Sequence, residues 1–350
     1  MHIHFENNSN YIWRIIFTFL IAFGHSGLVV ALNYGFYLGV EYFFILAGIL
    51  LAYSCDRNNG KYSTWEYIGK RLAKLYPHQL YSFIILIIWS YAPLGILVMA
   101  KKAILHLNEA LPFTFYIYDY NMVKQYPLNF PIWYVSVLFV LSIPIYYLFR
   151  YRRNALVSAI APLFILISYE YIYRHCNSFN SGNELGVFFN ETYLRGLADM
   201  LGGVMIYSLL LHLKKYKFKP IFFVFCRIME IVTFSIFFVL IYENGNSKKD
   251  IYFVMLLYIG IFFTFIYPDQ KTWITGKKLR YLSDLMYPIF LNHIFIINLV
   301  VPKLKLFVYV PDYVKIGILF IILTLYSMLT MHIVEKLCVL FKKMIKKLLT

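Results

Sequence analysis

The sequence predicts an all-α polytopic integral membrane protein with about ten transmembrane helices. Three observations carry that expectation. The chain is 61% hydrophobic, 20% aromatic and only 14% charged, whereas a soluble domain carries about 25% charged residues. Apolar stretches of about 20 residues, the length needed to cross a bilayer, recur from end to end. The basic residues crowd into every second connection between those stretches, as the positive-inside rule requires.

The stretches run near 11–32, 36–54, 79–99, 131–149, 155–173, 194–213, 219–241, 251–268, 284–301 and 313–334. The first carries Arg14 and His25, and the second opens on Glu41 and is otherwise apolar. The third follows the basic segment Arg71–Lys74. The fourth starts at Pro131-Ile-Trp133, and Pro162 breaks the fifth. Arg195 and Asp199 open the sixth, the seventh follows four lysines, and the eighth is short and apolar. The ninth carries Pro288 and His293, and the tenth runs into a basic tail at 336–350. The whole of 1–350 reads as one transmembrane domain. The stretch near 100–130, aromatic and Pro-bearing, reads as an outer lid or re-entrant loop.

Charge orients the bundle. With the N-terminus cytoplasmic, the inner segments hold the clusters Arg57–Lys74, Arg150–Arg153, Lys214–Lys219, Lys271–Arg280 and Lys336–Lys347. The outer loops hold only Lys101, Lys102, Lys124, Arg174, Lys248, Lys249, Lys303 and Lys305. Both termini are then cytoplasmic. The net charge of +16 reads as topology plus contact with anionic lipids, and no soluble basic face suggests nucleic-acid binding. No small-residue cleavage site follows the first stretch, so no cleavable signal peptide is expected. Cys55, Cys176, Cys226 and Cys338 are scattered without a CxxC pair, which argues against a disulfide framework or a metal site. No repeat of fixed period is visible, which weakens a transporter reading.

Ionisable residues inside a membrane segment are costly and mark function. Arg14 and His25 are eleven residues apart, three turns plus about 20°, so they share a helix face roughly 16 Å apart along the axis. The bland alternative is a snorkelling anchor and a packing histidine. A hairpin tip near Asn33–Gly35 would bring His25 level with Glu41, and a carboxylate beside imidazole fixes its tautomer and supports a general base. The alternative is a solvated Glu41 at the interface. Arg195 and Asp199 stand i,i+4, which suits a mutual salt bridge, with acceptor positioning as the functional reading.

The ordered motifs resemble the membrane acyltransferase-3 family, bacterial proteins that O-acylate surface glycans. They are Arg14–x10–His25, Gly39-Val-Glu41-Tyr-Phe-Phe-Ile-Leu-Ala-Gly48, Arg71-Leu-Ala-Lys74-Leu-Tyr-Pro77, Pro131-Ile-Trp133-Tyr134-Val-Ser136, Tyr287-Pro-Ile-Phe290-Leu291-Asn-His293 and His332-Ile-Val-Glu335-Lys336. The departures are Ala47 for a usual Ser, Lys74 for Arg, Phe290 for Tyr, and no Pro after Lys336. The resemblance implies an acyl donor from the cytoplasm, acetyl-CoA or another acyl-CoA. It implies a surface polysaccharide or lipid-linked glycan as acceptor: capsule, exopolysaccharide or O-antigen. The setting is then the bacterial inner membrane. Arg14, Arg71 and Lys74 would bind the donor phosphates, Arg bidentately and Lys as a point charge. His25 would be the general base on the sugar hydroxyl, a transient acyl-histidine being the other route. Trp133, Arg195, Asp199 and His293 are the candidates for the acceptor side. Tyr34, Asn292 and the Trp133 indole are candidate oxyanion donors. A glycan flippase or transporter, or a non-catalytic scaffold, would also suit ten helices. The first would move glycan without transferring acyl groups; the second would tolerate loss of His25.

Overall fold

The computed structural model describes residues 7–27, 35–111, 128–180, 191–266, 276–301 and 310–349, and every regular element among them is helical. Tyr34, Lys124, Lys271, Lys303 and Lys305 lie outside the described residues. In chain order the helices are α1 (Asn8–Ser26), α2 (Gly39–Arg57), α3 (Thr64–Tyr91), α4 (Ile96–Leu105), α5 (Ile132–Tyr151), α6 (Arg153–Ala155), α7 (Ala161–His175), α8 (Glu191–Leu213), α9 (Pro220–Asn244), α10 (Asp250–Ile266), α11 (Gly276–Asp284), α12 (Met286–Phe295) and α13 (Asp312–Leu349).

Among the described residues seven helical spans are long and apolar enough to cross a membrane: Phe36–Arg57, Ile132–Tyr151, Arg153–His175, Glu191–Leu213, Pro220–Asn244, Gly276–Val300 and Asp312–Leu340. Helix α10 is apolar but shorter. The chain is a multi-pass membrane protein. Helices α1 and α3 also coincide with expected stretches, but Arg14 and His25 dilute one, and Lys70, Arg71, Lys74 and His78 the other. Helices α7, α9 and α13 turn large apolar side chains such as Leu166, Ile221 and Leu325 outward, as a lipid-facing surface does.

Local chemistry sets the boundaries. Asn7 caps α1 by accepting from the Asn10 amide at 2.7 Å, and Gly27, at φ +66°, supplies the left-handed residue that ends it. The first stretch therefore stops at Ser26, not at residue 32. Ser63 and Glu66 form a reciprocal capping box at the start of α3, and those hydrogen bonds hold the Glu66 carboxyl below its usual range. Helix α3 thus begins fifteen residues before the expected 79, so Arg71 and Lys74 stand on a helix and not in a loop. It ends near Gly95, at φ +96°, which separates it from α4. Pro162 does not break its span: it sits in the first turn of α7, behind a π-turn at Leu156–Ile160 that absorbs the lost hydrogen bond. Pro288 interrupts its span without ending it: its ring excludes the bond to residue 284, and α11 gives way to α12 across Leu285, which keeps helical angles.

Among the described residues two apolar cores are the largest. The larger gathers α2, α5, α7, α8, α9 and α10, with Phe17, Leu20 and Ile21 of α1. The smaller joins Phe19 and Ala22 of α1 to α3, α12 and α13. Helix α1 stands at the seam between them. The closest helix pair is α2 with α8, where Gly48 faces the Met200 carbonyl and Gly203 the Ile45 carbonyl with no room for a Cβ. Such small residues let membrane helices approach closely.

Candidate active site

Registers between neighbouring helices locate the site. Asn8 lies beside Gly276, and the His25 and His293 rings stack with centroids 5.2 Å apart. Both pairs differ by the same number of residues, so α1 runs parallel to α11 and α12 in constant register. His78 packs against Tyr287 at 6.1 Å and Ser82 donates to the Leu291 carbonyl at 3.0 Å, so α3 runs the same way. Carrying these registers along puts Arg14 level with Leu282 and Lys74 level with Ser283. The three basic residues thus share a level, and the two histidines share another, roughly 16 Å further along α1 at about 1.5 Å per residue.

A cavity of about 390 Å³, within the range of small-molecule sites, opens at the basic level and extends along α1 toward the histidines. Arg14 and Thr18 of α1, Tyr67, Arg71 and Lys74 of α3, and Tyr287 and Phe290 of α12 line it, with apolar side chains of α2 and α5 completing the wall. Tyr67, Arg71 and Lys74 follow at i, i+4 and i+7, one face of a helix. Arg71 donates to the Tyr67 hydroxyl at 3.1 Å and to Ser142 at 3.0 Å, which fixes its guanidinium against the wall. The cavity runs along α1 and is walled by α2, α3, α5 and α12.

At the other level, His293 is fully buried. Its Nδ1 lies 2.6 Å from the Phe290 carbonyl oxygen. A carbonyl only accepts, so Nδ1 carries the proton and Nε2 the lone pair. That Nε2 has no hydrogen-bond partner among the described residues. His25 is half-buried, with the Phe36 ring at 4.7 Å and the Phe130 ring at 6.4 Å. Asn129, next to Phe130, donates to the Leu291 carbonyl at 2.9 Å. Its own amide and that of Leu128 donate to the buried Glu109 carboxylate at 3.1 and 3.0 Å. Glu109 and Asn129 are thereby tied to each other and Asn129 to α12, while residues 112–127 of the expected lid lie outside the described residues.

The expected pairing of His25 with Glu41 is corrected. Gly24 packs on Phe36, and Gly39 on Phe17 and Ile21. Equal levels in this hairpin therefore sum to about 58–60, not 67, because α1 ends at Ser26 and the connection is longer than a tight tip. Glu41 is level with Phe17, about two turns from His25. It is fully buried and holds Arg195, which donates through Nε at 2.8 Å and through Nη2. The expected Arg195–Asp199 bridge is also corrected. The third Arg195 donor, Nη1, goes to the Phe179 carbonyl. Asp199 accepts from Tyr169 at 2.5 Å and Tyr258 at 2.9 Å. Trp133 covers this group, its ring 5.4 Å from the Arg195 guanidinium. So His293 joins His25, while Trp133, Arg195 and Asp199 join Glu41.

Among the oxyanion candidates, the Asn292 amide is already donated to the Pro288 carbonyl at 2.8 Å, and Trp133 sits over Arg195. Sequence reasoning missed the buried Glu109 and the unpartnered Tyr287 hydroxyl. Tyr287 was legible as part of a motif, but nothing in its spacing marked its hydroxyl. Among the described residues no group of three or more His, Cys, Asp or Glu is placed to hold a metal ion.

No curated protein and no solved structure matches the chain. A family model described as an acyltransferase domain matches residues 11–331, a span that contains the cavity, both histidines and all three basic residues, and the chain belongs to the acyltransferase-3 family.

Proposed function

We propose that this membrane acyltransferase moves a short acyl group, acetyl in the first instance, from acyl-CoA to a sugar hydroxyl. The observation that carries this is a cavity with Arg14, Arg71 and Lys74 at one level and the His25–His293 pair beyond its far end. CoA is a phosphate-bearing head on a long thin arm ending in a thioester. The basic level suits the phosphates, the largely apolar shaft the arm, and the imidazoles the thioester.

In this reading the acceptor hydroxyl meets the thioester beside His25. The ring is half-buried and so open to substrate, while His293 stacks on it and fixes its plane. The His25 lone pair takes the hydroxyl proton as the sugar oxygen attacks the acyl carbon. The carbon–sulfur bond breaks, and the imidazolium returns the proton to the thiolate. Ester and free thiol result, with no net proton released. Glu41 serves the reaction indirectly. With Arg195 and Asp199 it closes the α2–α8 interface, and Trp133 joins that group to Tyr134 on the cavity wall.

The donor enters from the cytoplasmic side, where the basic clusters and both termini lie. The acceptor is a polysaccharide or lipid-linked glycan at the outer face of a bacterial inner membrane. The basic surface contacts anionic lipids. The direct test is transfer from labelled acetyl-CoA to glycan by the purified protein. Loss of transfer in His25→Ala with the fold intact supports the reading, and near-normal transfer overturns it.

A further inference from the structure

Tyr287 carries an anomaly that the proposed function does not use. Its side chain lines the cavity, yet its hydroxyl is buried without a hydrogen-bond partner among the described residues. A hydroxyl kept from water and left unpaired is destabilising. An unpaired hydroxyl on a side chain that lines a largely apolar cavity is the arrangement a ligand's polar group completes.

Its position says which group. By the α1–α12 register, Tyr287 is level with Phe19. It lies about 7 Å beyond Arg14 along the axis and about 9 Å short of His293. Tyr287 is thus too far from the histidines to meet the reacting carbonyl, and it lies between them and Arg14 along the axis. Its neighbours are consistent with a fixed binding wall: His78 packs on its ring, and the ring joins a small cluster with Tyr134, Phe290 and Leu75. The arm of a CoA thioester carries amides between phosphate and sulfur, and an amide carbonyl is the acceptor such a hydroxyl requires.

We propose that Tyr287 is a donor-binding residue whose hydroxyl donates to an amide carbonyl of the thioester donor's arm, midway between the phosphate and acyl ends. This rests on the acyl-CoA reading above. It assigns a register: the arm must lie along α12 with its amide at the level of Phe19.

The test is Tyr287→Phe in the purified full-length protein, which removes only the oxygen. Without donor, the variant should melt at or above the wild-type temperature, because no existing hydrogen bond is lost. The stabilisation produced by free CoA should shrink, and the donor KM should rise about three- to tenfold, the worth of one hydrogen bond. The acceptor KM and kcat should hold. If CoA stabilises wild type and variant equally and the donor KM is unchanged, the assignment to Tyr287 falls while the acyl-CoA reading stands. A lower melting temperature for the donor-free variant would mark the hydroxyl as structural and also overturn the proposal. If CoA fails to stabilise the wild type and no label transfers, the donor reading itself falls and takes the proposal with it.

Discussion

Each ionisable side chain in this bundle has to be read through its partner. His293 donates one ring nitrogen to a carbonyl and leaves the other bare, whereas Glu41 spends its carboxylate on a buried guanidinium. These are different jobs, and they predict different variant behaviour. His25→Ala should lower acyl transfer at least about 10²-fold at unchanged melting temperature, as loss of a general base does. His293→Ala should lower it too. The double variant should be no worse than the more damaging single one, because residues acting as a unit are not additive. Transfer rates at equal protein check this; independent, multiplying losses would contradict a shared site. Glu41→Ala should instead fail in folding. Removing one partner of a buried pair costs about 3–5 kcal/mol, so membrane abundance and melting temperature should drop sharply. Glu41→Gln with Arg195→Met should recover much of that loss. At this scale the sequence was legible for Arg14 and His25, whose spacing alone puts them on one face. It misled for Glu41, because the hairpin register depends on where α1 ends, and Gly27 ends it early.

The helices show why the site sits where it does. Helix α1 divides its apolar side chains between two cores, so a polar face can run along the seam without exposing either. Helix α3 contributes because its capping box starts it fifteen residues before its hydrophobic stretch, which carries Arg71 and Lys74 onto the cavity wall. Hydropathy saw only the apolar half of α3, since a window that averages polarity cannot register a cap. The same blindness took Pro162 for a break, when a neighbouring π-turn absorbs it. The wall opposite α1 depends on close approach of α2 and α8. Gly48→Ala and Gly203→Ala each put a Cβ into a backbone carbonyl of the facing helix, which no side-chain rotation relieves. Each should lower the melting temperature of detergent-purified protein more than Gly69→Ala, where a Cβ meets open space. Equal effects at the three positions would show that the α2–α8 contact is not tight.

Across the whole molecule the basic level lines the cavity and the imidazole level lies beyond its far end, and this separation is the physical core of the account. Composition made the membrane class legible, and the ordered motifs made the family legible. The meeting of His25 with His293 was not legible, because nothing in either segment states the register between helices some 270 residues apart in sequence. Donor binding at the basic level should weaken as salt rises, since partly exposed charges are screened within about 8–10 Å. Arg71→Glu should raise the donor KM more than it lowers kcat, and unchanged CoA affinity in that variant would reduce the cluster to a topology signal. The decisive measurement uses sealed vesicles holding this protein alone, with labelled acetyl-CoA on the face of the basic clusters and glycan acceptor on the other. The account predicts label on the glycan, abolished by His25→Ala, with no glycan crossing. Glycan crossing the membrane without any label transferred would contradict it.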